Sequence, residues 1–442
     1  MNRTAEAWND FIKYASLSVL AMIAMSCYIL ADTFFVSQGL GTNGLTALNL
    51  AIPAYNFIHG TGLMLGMGGA TRFSILKSQN SGKEADRIYT VTLYLSLIFS
   101  VLFVVAGLFF SGSLSRLLGA DAAVFDMTNT YLKVLLLFSP AFILNDVLVC
   151  FVRNDGNPQL SMAATITGSL SNILLDYLFI FPCGMGIFGA VLATGLAPVI
   201  GIAVMAPHWL KRDKGFHVIS SGLRARAAGI TLSLGFPSLL AQLSSGIVMI
   251  VFNALILGLR GNTGVAAYGV VANISLVVTS IFTGIAQGIQ PLVSQAYGRK
   301  DTRTVQKHLK YALGSMAVFS AAVYLLLFFL ASPVTGIFNS ERNPELQAIA
   351  VEGLRLYFTS ILFTGFNVIL STWFASVEKA VPAQVISLLR GLILIIPAAF
   401  LMASLWGMTG VWLALTATEL LTGAAGLFFY LRNRGRLYST GS

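Results

Sequence analysis

The sequence predicts an all-α polytopic membrane protein, with twelve transmembrane helices in two pseudo-symmetric six-helix bundles. Three observations carry this. Hydrophobic residues fill 56% of the 442 positions and charged residues only 10%, whereas about a quarter of a soluble domain is charged. The apolar runs are continuous and reach the length of about 20 residues that a helix needs to cross a bilayer; the short alternating strands of a membrane barrel are absent. The chain also repeats itself at an offset of about 220 residues.

The apolar runs fall at 14–37, 47–76, 88–111, 125–151, 159–181, 187–209, 228–258, 264–296, 306–331, 346–376, 380–404 and 408–431. Glycine and proline punctuate them, as at Gly39–Gly44, Gly156–Pro158, Gly258–Gly264, Pro344 and Pro382, residues that favour turns over helix interiors. The repeat is visible in paired motifs. Gly62-Leu-Met-Leu-Gly66 leads to Gly82-Lys-Glu-Ala-Asp-Arg87, and Gly284-Ile-Ala-Gln-Gly288 leads to Gly298-Arg-Lys-Asp-Thr-Arg303. Six spans and six spans give a first lobe at 1–210, a basic cytoplasmic linker at 211–227 and a second lobe at 228–442. Repeats of this kind mark secondary transporters, with the substrate route between the halves.

Charge placement sets the expected orientation. With the N-terminus inside, 21 of the 27 Lys and Arg residues fall on the cytoplasmic side, including Arg432, Arg434 and Arg436. Only Arg116, Arg260 and Arg342 fall outside; Lys133, Arg355 and Arg390 lie within spans. By the positive-inside rule both termini are cytoplasmic. The net charge of +10 is then explained by orientation and by anionic lipid headgroups, without a nucleic-acid partner. Cys27, Cys150 and Cys183 sit in or beside apolar runs and read as small hydrophobes. No cleavable signal peptide is expected at the N-terminus.

No phosphate-binding loop occurs, so an ATP motor within the chain is not expected. His208 and Asp213 have the spacing seen in some acyltransferases, although with four histidines a chance match is the better reading. His59 reads as an interior hydrogen-bonded group, and Asp146 as a structural acid.

The informative residues are ionisable or polar groups deep in the first-half spans. Asp32 on span 1, Tyr131 on span 4, Asn172 and Asp176 on span 5 and Thr194 on span 6 reach a common depth, roughly 8–14 Å from the external interface at about 1.5 Å per residue. Asn172 and Asp176 are four apart and share a helix face. A buried Asp costs about 3 kcal/mol or more. Two at one level need either a shared proton or a hard cation on their oxygens. The plainer alternative, in which each Asp caps a broken helix, leaves the matched depth unexplained. The second half lacks this pair; its buried polar residues include Gln287, Asn367, Arg390 and Glu419.

Several stretches resemble the multidrug and toxic compound extrusion (MATE) family, and its DinF-like branch in particular. They are Ala31-Asp-Thr-Phe-Phe-Val36, Arg153-Asn-Asp-Gly-Asn-Pro158, Ser171-Asn-Ile-Leu-Leu-Asp176, Gly186-Ile-Phe-Gly-Ala-Val-Leu-Ala-Thr194, Ala266-Ala-Tyr-Gly-Val270 and Gly284-Ile-Ala-Gln-Gly-Ile-Gln-Pro291. The resemblance implies export of amphipathic, often cationic, organic compounds by H⁺ or Na⁺ antiport through alternating access. It implies a cation-coupling site at Asp32, Asn172, Asp176, Thr194 and Tyr131, the first four being the ligands if the ion is Na⁺. Phe34, Tyr55, Met64, Gln287, Asn367 and Glu419 are the expected substrate-binding residues. No resident cofactor is expected, only the coupling ion. The partners are then small organic molecules and the bilayer, the chain is a monomer in the plasma membrane, and it is not an enzyme. A flippase for a lipid-linked sugar, or a membrane-embedded acyltransferase, is the rival reading.

Overall fold

A computed structural model describes residues 3–339 and 342–438; the side chains of Arg434 and Arg436 lie outside the described residues. Among the described residues all regular structure is helical. In the first half α1 runs Arg3–Ser78, α2 Gly82–Phe109, α3 Ser111–Leu117, α4 Phe125–Leu137, α5 Ser139–Asn154, α6 Pro158–Ile180 and α7 Gly186–Trp209. In the second, α8 runs Ala225–Gly298, α9 Thr302–Phe329, α10 Ala331–Phe338, α11 Pro344–Tyr357, α12 Ile361–Ser376, α13 Ala380–Leu388 and α14 Ile395–Tyr438. A π-helical turn, Leu389–Ile393, joins α13 to α14.

Three of these runs are two spans in series. Gly41 breaks α1 (φ 66°, ψ −159°), Gly261 breaks α8 (φ 62°, ψ −157°) and Gly407 breaks α14 (φ 58°, ψ −133°). Without a Cβ, glycine adopts positive φ at little cost, so a helix can stop and restart on one residue. Eight runs are long and apolar enough to cross a bilayer, and α4 with α5, bent by 48°, makes a ninth. Divided at the three glycines, they yield the twelve spans read from the sequence. Pro140 in the first turn of α5 accounts for the bend, because its ring cannot continue the preceding helix.

The repeat is written in the backbone as well as the sequence. Gly41 and Gly261 lie 220 positions apart with nearly equal angles. The positive-φ residues Asn80 and Lys300 follow at the same offset, and Gly156 and Glu378 at 222. Helix starts are capped as the turn residues promised. Asn157 accepts from the Leu160 N–H at 3.2 Å ahead of Pro158. Asn343 accepts from Glu345 and Leu346 ahead of Pro344.

Contacts divide the chain into two compact units, Ser16–Leu243 and Met1–Ala15 with Ser244–Ser442. The sequence drew its lobes at 1–210 and 228–442; the contacts carry residues 211–243 with the first unit and the opening of α1 with the second. Packing explains both. In the first unit the opening turns of α8 lie so close to α1 that a Cβ at Gly68 would run into the Thr231 carbonyl, and one at Gly235 into the Met64 backbone. In the second unit a Cβ at Gly288 would meet the Tyr14 and Ala15 backbone, and Trp8 packs edge-on against Tyr311 at 4.9 Å. Small residues allow such approach where helices have no hydrophobic drive to associate in lipid. The linker is no free tether either. Phe216 is fully buried against Phe73, Tyr89 and Phe151, and the backbone N–H groups of Gly215, His217 and Ile219 donate to Asp155, Asp86 and Thr90.

Gly68→Leu should lower stability by about 1–3 kcal/mol, the usual cost of overpacking, while Gly222→Leu, at an open position, should change it little. Thermal unfolding of the two variants in detergent compares them directly; equal midpoints would refute the close-packing role of Gly68.

Candidate cation and substrate site

Close helix packing collects the polar residues of the first lobe. α6 and α7 approach at Gly168, where a Cβ would lie 3.0 Å from the Ala197 carbonyl. Asn172 stands one turn beyond Gly168, and Thr194 about one turn before Ala197, so their side chains meet. With its amide nitrogen toward the acid, Asn172 donates to Asp176 Oδ2 at 3.0 Å, and its oxygen accepts from the Thr194 N–H at 3.3 Å. The Thr194 hydroxyl donates to the Ala190 carbonyl at 3.1 Å and is hydrogen-bonded to Tyr131. Asp32 arrives from α1 and brings its carboxyl beside that of Asp176.

The structure thus gathers all five residues expected at the cation site, and each is buried. Two carboxylates side by side in a buried site repel, so such a pair favours a proton on one of them or a cation between them. Oδ1 of Asp32 and Oδ1 of Asp176 have no hydrogen-bond partner. Two unpaired acid oxygens in a buried site are acceptors for a proton or donors to a hard cation.

Two interior groups read singly from the sequence are partners. His59 Nδ1 lies 2.8 Å from Asp146 Oδ2, and both side chains are buried. Gly62 makes room: a Cβ there would press on the Asp146 carboxyl, and that glycine was the available sequence signal. Tyr55 stacks on His59 at 5.8 Å and hydrogen-bonds Tyr28, one turn before Asp32.

In the second lobe Glu419 and Arg390, candidates without evident partners in the sequence, form an ion pair. Arg390 Nη2 and Nε lie 2.7 and 3.1 Å from Glu419 Oε1, and Nε is 3.3 Å from Oε2. Asn367 donates to Glu419 Oε2 at 2.7 Å and to its carbonyl at 2.8 Å. The π-helical turn that carries Arg390 inserts an extra residue per turn and re-aims the side chain. Periodicity alone does not reveal such a turn.

The other expected substrate residues are dispersed. Met64 is buried in the first unit's apolar core, Phe34 is 58% exposed with its ring against Phe35, and Gln287 is half-buried on α8. His208 Nε2 pairs at 3.0 Å with Asp155, which also holds Lys77, rather than with Asp213.

A family profile described as MatE matches residues 18–178 and 237–401. The chain is 26% identical over 407 residues to the multidrug export protein MepA of Staphylococcus saprophyticus, covering 91% of this chain and 89% of the relative. MepA of Staphylococcus aureus is also 26% identical, over 410 residues and the same shares. Among solved structures, an outward-facing multidrug resistance MATE family transporter of the MOP superfamily superposes with a TM-score of 0.91 at 23% identity, over 97% of this chain and 96% of that one. A MOP superfamily transporter from Pyrococcus furiosus superposes with a TM-score of 0.89 at 24% identity, over 98% and 96%. At these identities the superpositions show the fold.

Removing one partner of the second-lobe ion pair strands the other, at a cost of about 3–5 kcal/mol for a buried pair, less for Arg390, whose side chain keeps 19% exposure. Glu419→Leu should therefore lower the unfolding midpoint, and Arg390→Met with Glu419→Leu should recover most of the loss. A double variant no more stable than Glu419→Leu would contradict the pairing.

Proposed function

Because the chain belongs to the MatE family, a family of membrane transporters and not enzymes, we propose that it is a proton-coupled antiporter that exports amphipathic organic cations by alternating access. The observation that carries this reading is the buried Asp32–Asp176 contact with its two unpaired oxygens. The multidrug export relatives support the substrate class.

The proposed cycle follows from charge. Open to the cytoplasm and short of protons, the acid pair carries negative charge in a site of low dielectric, where attraction to an organic cation is strong. Opened outward, the pair takes up external protons. Neutral acids offer the cation no counter-charge, and it leaves. Asn172, Thr194 and Tyr131 hold the pair's geometry while its charge changes. Aromatic side chains such as Tyr55 and Phe34 supply adaptable apolar contact. In the second lobe, Asn367 and Glu419 contribute a polar face whose charge Arg390 already balances. The chain sits in the plasma membrane; in the proposed topology it works as a monomer with both termini and the loop 211–226 cytoplasmic. The rival readings draw no support: Arg390 is engaged by Glu419 rather than available to a pyrophosphate, and His208 by Asp155.

Asp32→Asn and Asp176→Asn should each abolish gradient-driven export by reconstituted protein. Both variants should fold, because each removes a buried charge costing about 3 kcal/mol. The double variant should be no worse than either, since the acids serve one site. Undiminished export by either single variant would place coupling elsewhere.

With Cys27, Cys150 and Cys183 replaced by Ser, Ser221→Cys should react with a membrane-impermeant maleimide in inverted vesicles and not in intact cells. The opposite pattern would reverse the proposed topology.

A further inference from the structure

In the proposed cycle a proton taken up at Asp32 and Asp176 from outside is released on the cytoplasmic side. The first unit contains a series of buried groups in that direction. Tyr28 precedes Asp32 by one turn of α1 and feels its charge. Tyr28 and Tyr55 share a hydroxyl–hydroxyl hydrogen bond. Tyr55 stacks on His59 with an interplanar angle of 17°, and His59 Nδ1 holds Asp146 at 2.8 Å. Between Tyr131, at the acid pair, and Asp146 lie fifteen positions of the α4–α5 span, roughly 20 Å at about 1.5 Å per residue. Asp146 therefore stands well toward the end of the span that leads into the Arg153–Pro158 turn.

A buried His–Asp pair on two helices is costly unless it is useful or braces the fold. Here it lies against Tyr55, whose hydroxyl meets that of Tyr28 one turn before Asp32. We infer that His59 and Asp146 form a second proton station, which receives protons from Asp32 and Asp176 through Tyr28 and Tyr55 and passes them toward the side of the basic loops. This inference rests on the coupling role proposed for the acid pair.

The transfers balance at each step. The Asp32 carboxyl gives its proton to the Tyr28 hydroxyl as that hydroxyl gives its own to Tyr55. Tyr55 passes one proton through a single water to the Nε2 of His59, and His59 gives its Nδ1 proton to the Asp146 carboxylate. The hydroxyls and the water end unchanged; one proton has moved from Asp32 to the His59–Asp146 pair. Tyr55 and Cys150 both feel the charge of Asp146, and Cys150 also that of Arg153. Arg153 is buried, and its Nη2 faces Cys150 Sγ and Met67 Sδ. A fixed cation there opposes passage of a hydrated metal ion, while the relay moves protons by exchange. The station thus makes the transporter selective for H⁺.

The test uses the full chain in liposomes with ethidium as the transported cation. Two rates are read for each variant: uptake driven by a pH gradient, and ethidium counterflow at equal pH, which needs no net proton transfer. His59→Gln and Asp146→Asn keep hydrogen-bonding capacity and remove titration. Each should cut gradient-driven uptake by about tenfold or more, the scale of lost acid–base assistance, and leave counterflow intact. Tyr28→Phe, which removes the hydroxyl that meets Tyr55, should lower gradient-driven uptake in the same way. The double variant, His59→Gln with Asp146→Asn, titrates at neither position and should show no rescue. Wild-type gradient-driven uptake in His59→Gln and Asp146→Asn, alongside loss in Asp32→Asn, would overturn the relay and leave the acid pair's role standing. Parallel loss of uptake and counterflow, or rescue in the double variant, would make the pair a structural brace and overturn the relay. Wild-type uptake in Asp32→Asn would instead remove the coupling role on which it rests.

Discussion

A charge or an unpaired backbone group has no partner in hydrocarbon, and that constraint shapes this protein at every level. It makes the backbone helical, since only a helix satisfies its own amides within one span. Within the three longest helical runs each break falls on a single glycine, where one residue with positive φ turns the chain at the least disruption. It also dictates what surrounds each buried ionisable group. Asp176 is held by Asn172 and Asp32, Asp146 by His59, and Glu419 by Arg390 and Asn367.

The two units answer the constraint differently on matching backbones. Their breaks at Gly41 and Gly261 are nearly superimposable in angle. In the first unit the buried acids Asp32, Asp176 and Asp146 meet another acid or a histidine, arrangements whose charge changes with one proton, while its buried cation, Arg153, faces Cys150 and Met67. In the second, a permanently charged guanidinium closes on Glu419 through two nitrogens. Arg stays protonated under any physiological condition, so that pair is constant. Matching backbones thus carry paired acids in one lobe and a closed ion pair in the other, and the proposed coupling falls on the acids.

The same constraint explains where the small residues of the long helices stand. They mark the places where a neighbouring element comes close. Gly62 admits the Asp146 carboxyl, Gly68 the opening turns of α8, and Gly288 the opening turns of α1. In each repeat a glycine on one long helix receives the first turns of the other. The contact boundaries at 15 and 243 follow from that exchange, whereas the loop at 211–227 is a boundary only in polarity.

Composition, run length and repeat sufficed for the fold class, the twelve spans and the level at which Asp32, Tyr131, Asn172, Asp176 and Thr194 stand. Depth along a span is a one-dimensional quantity, and counting residues from a helix end measures it. Which side chains touch across helices is not one-dimensional. It depends on rotation about each axis, on the bend at Pro140 and on the extra residue of the π-turn at Arg390, each of which shifts a side chain by a large part of a turn. The His59–Asp146 and Arg390–Glu419 pairs, 87 and 29 positions apart, therefore appeared only when the helices were packed. The outward turn of Phe34 and the burial of Met64 in the core were settled in the same way.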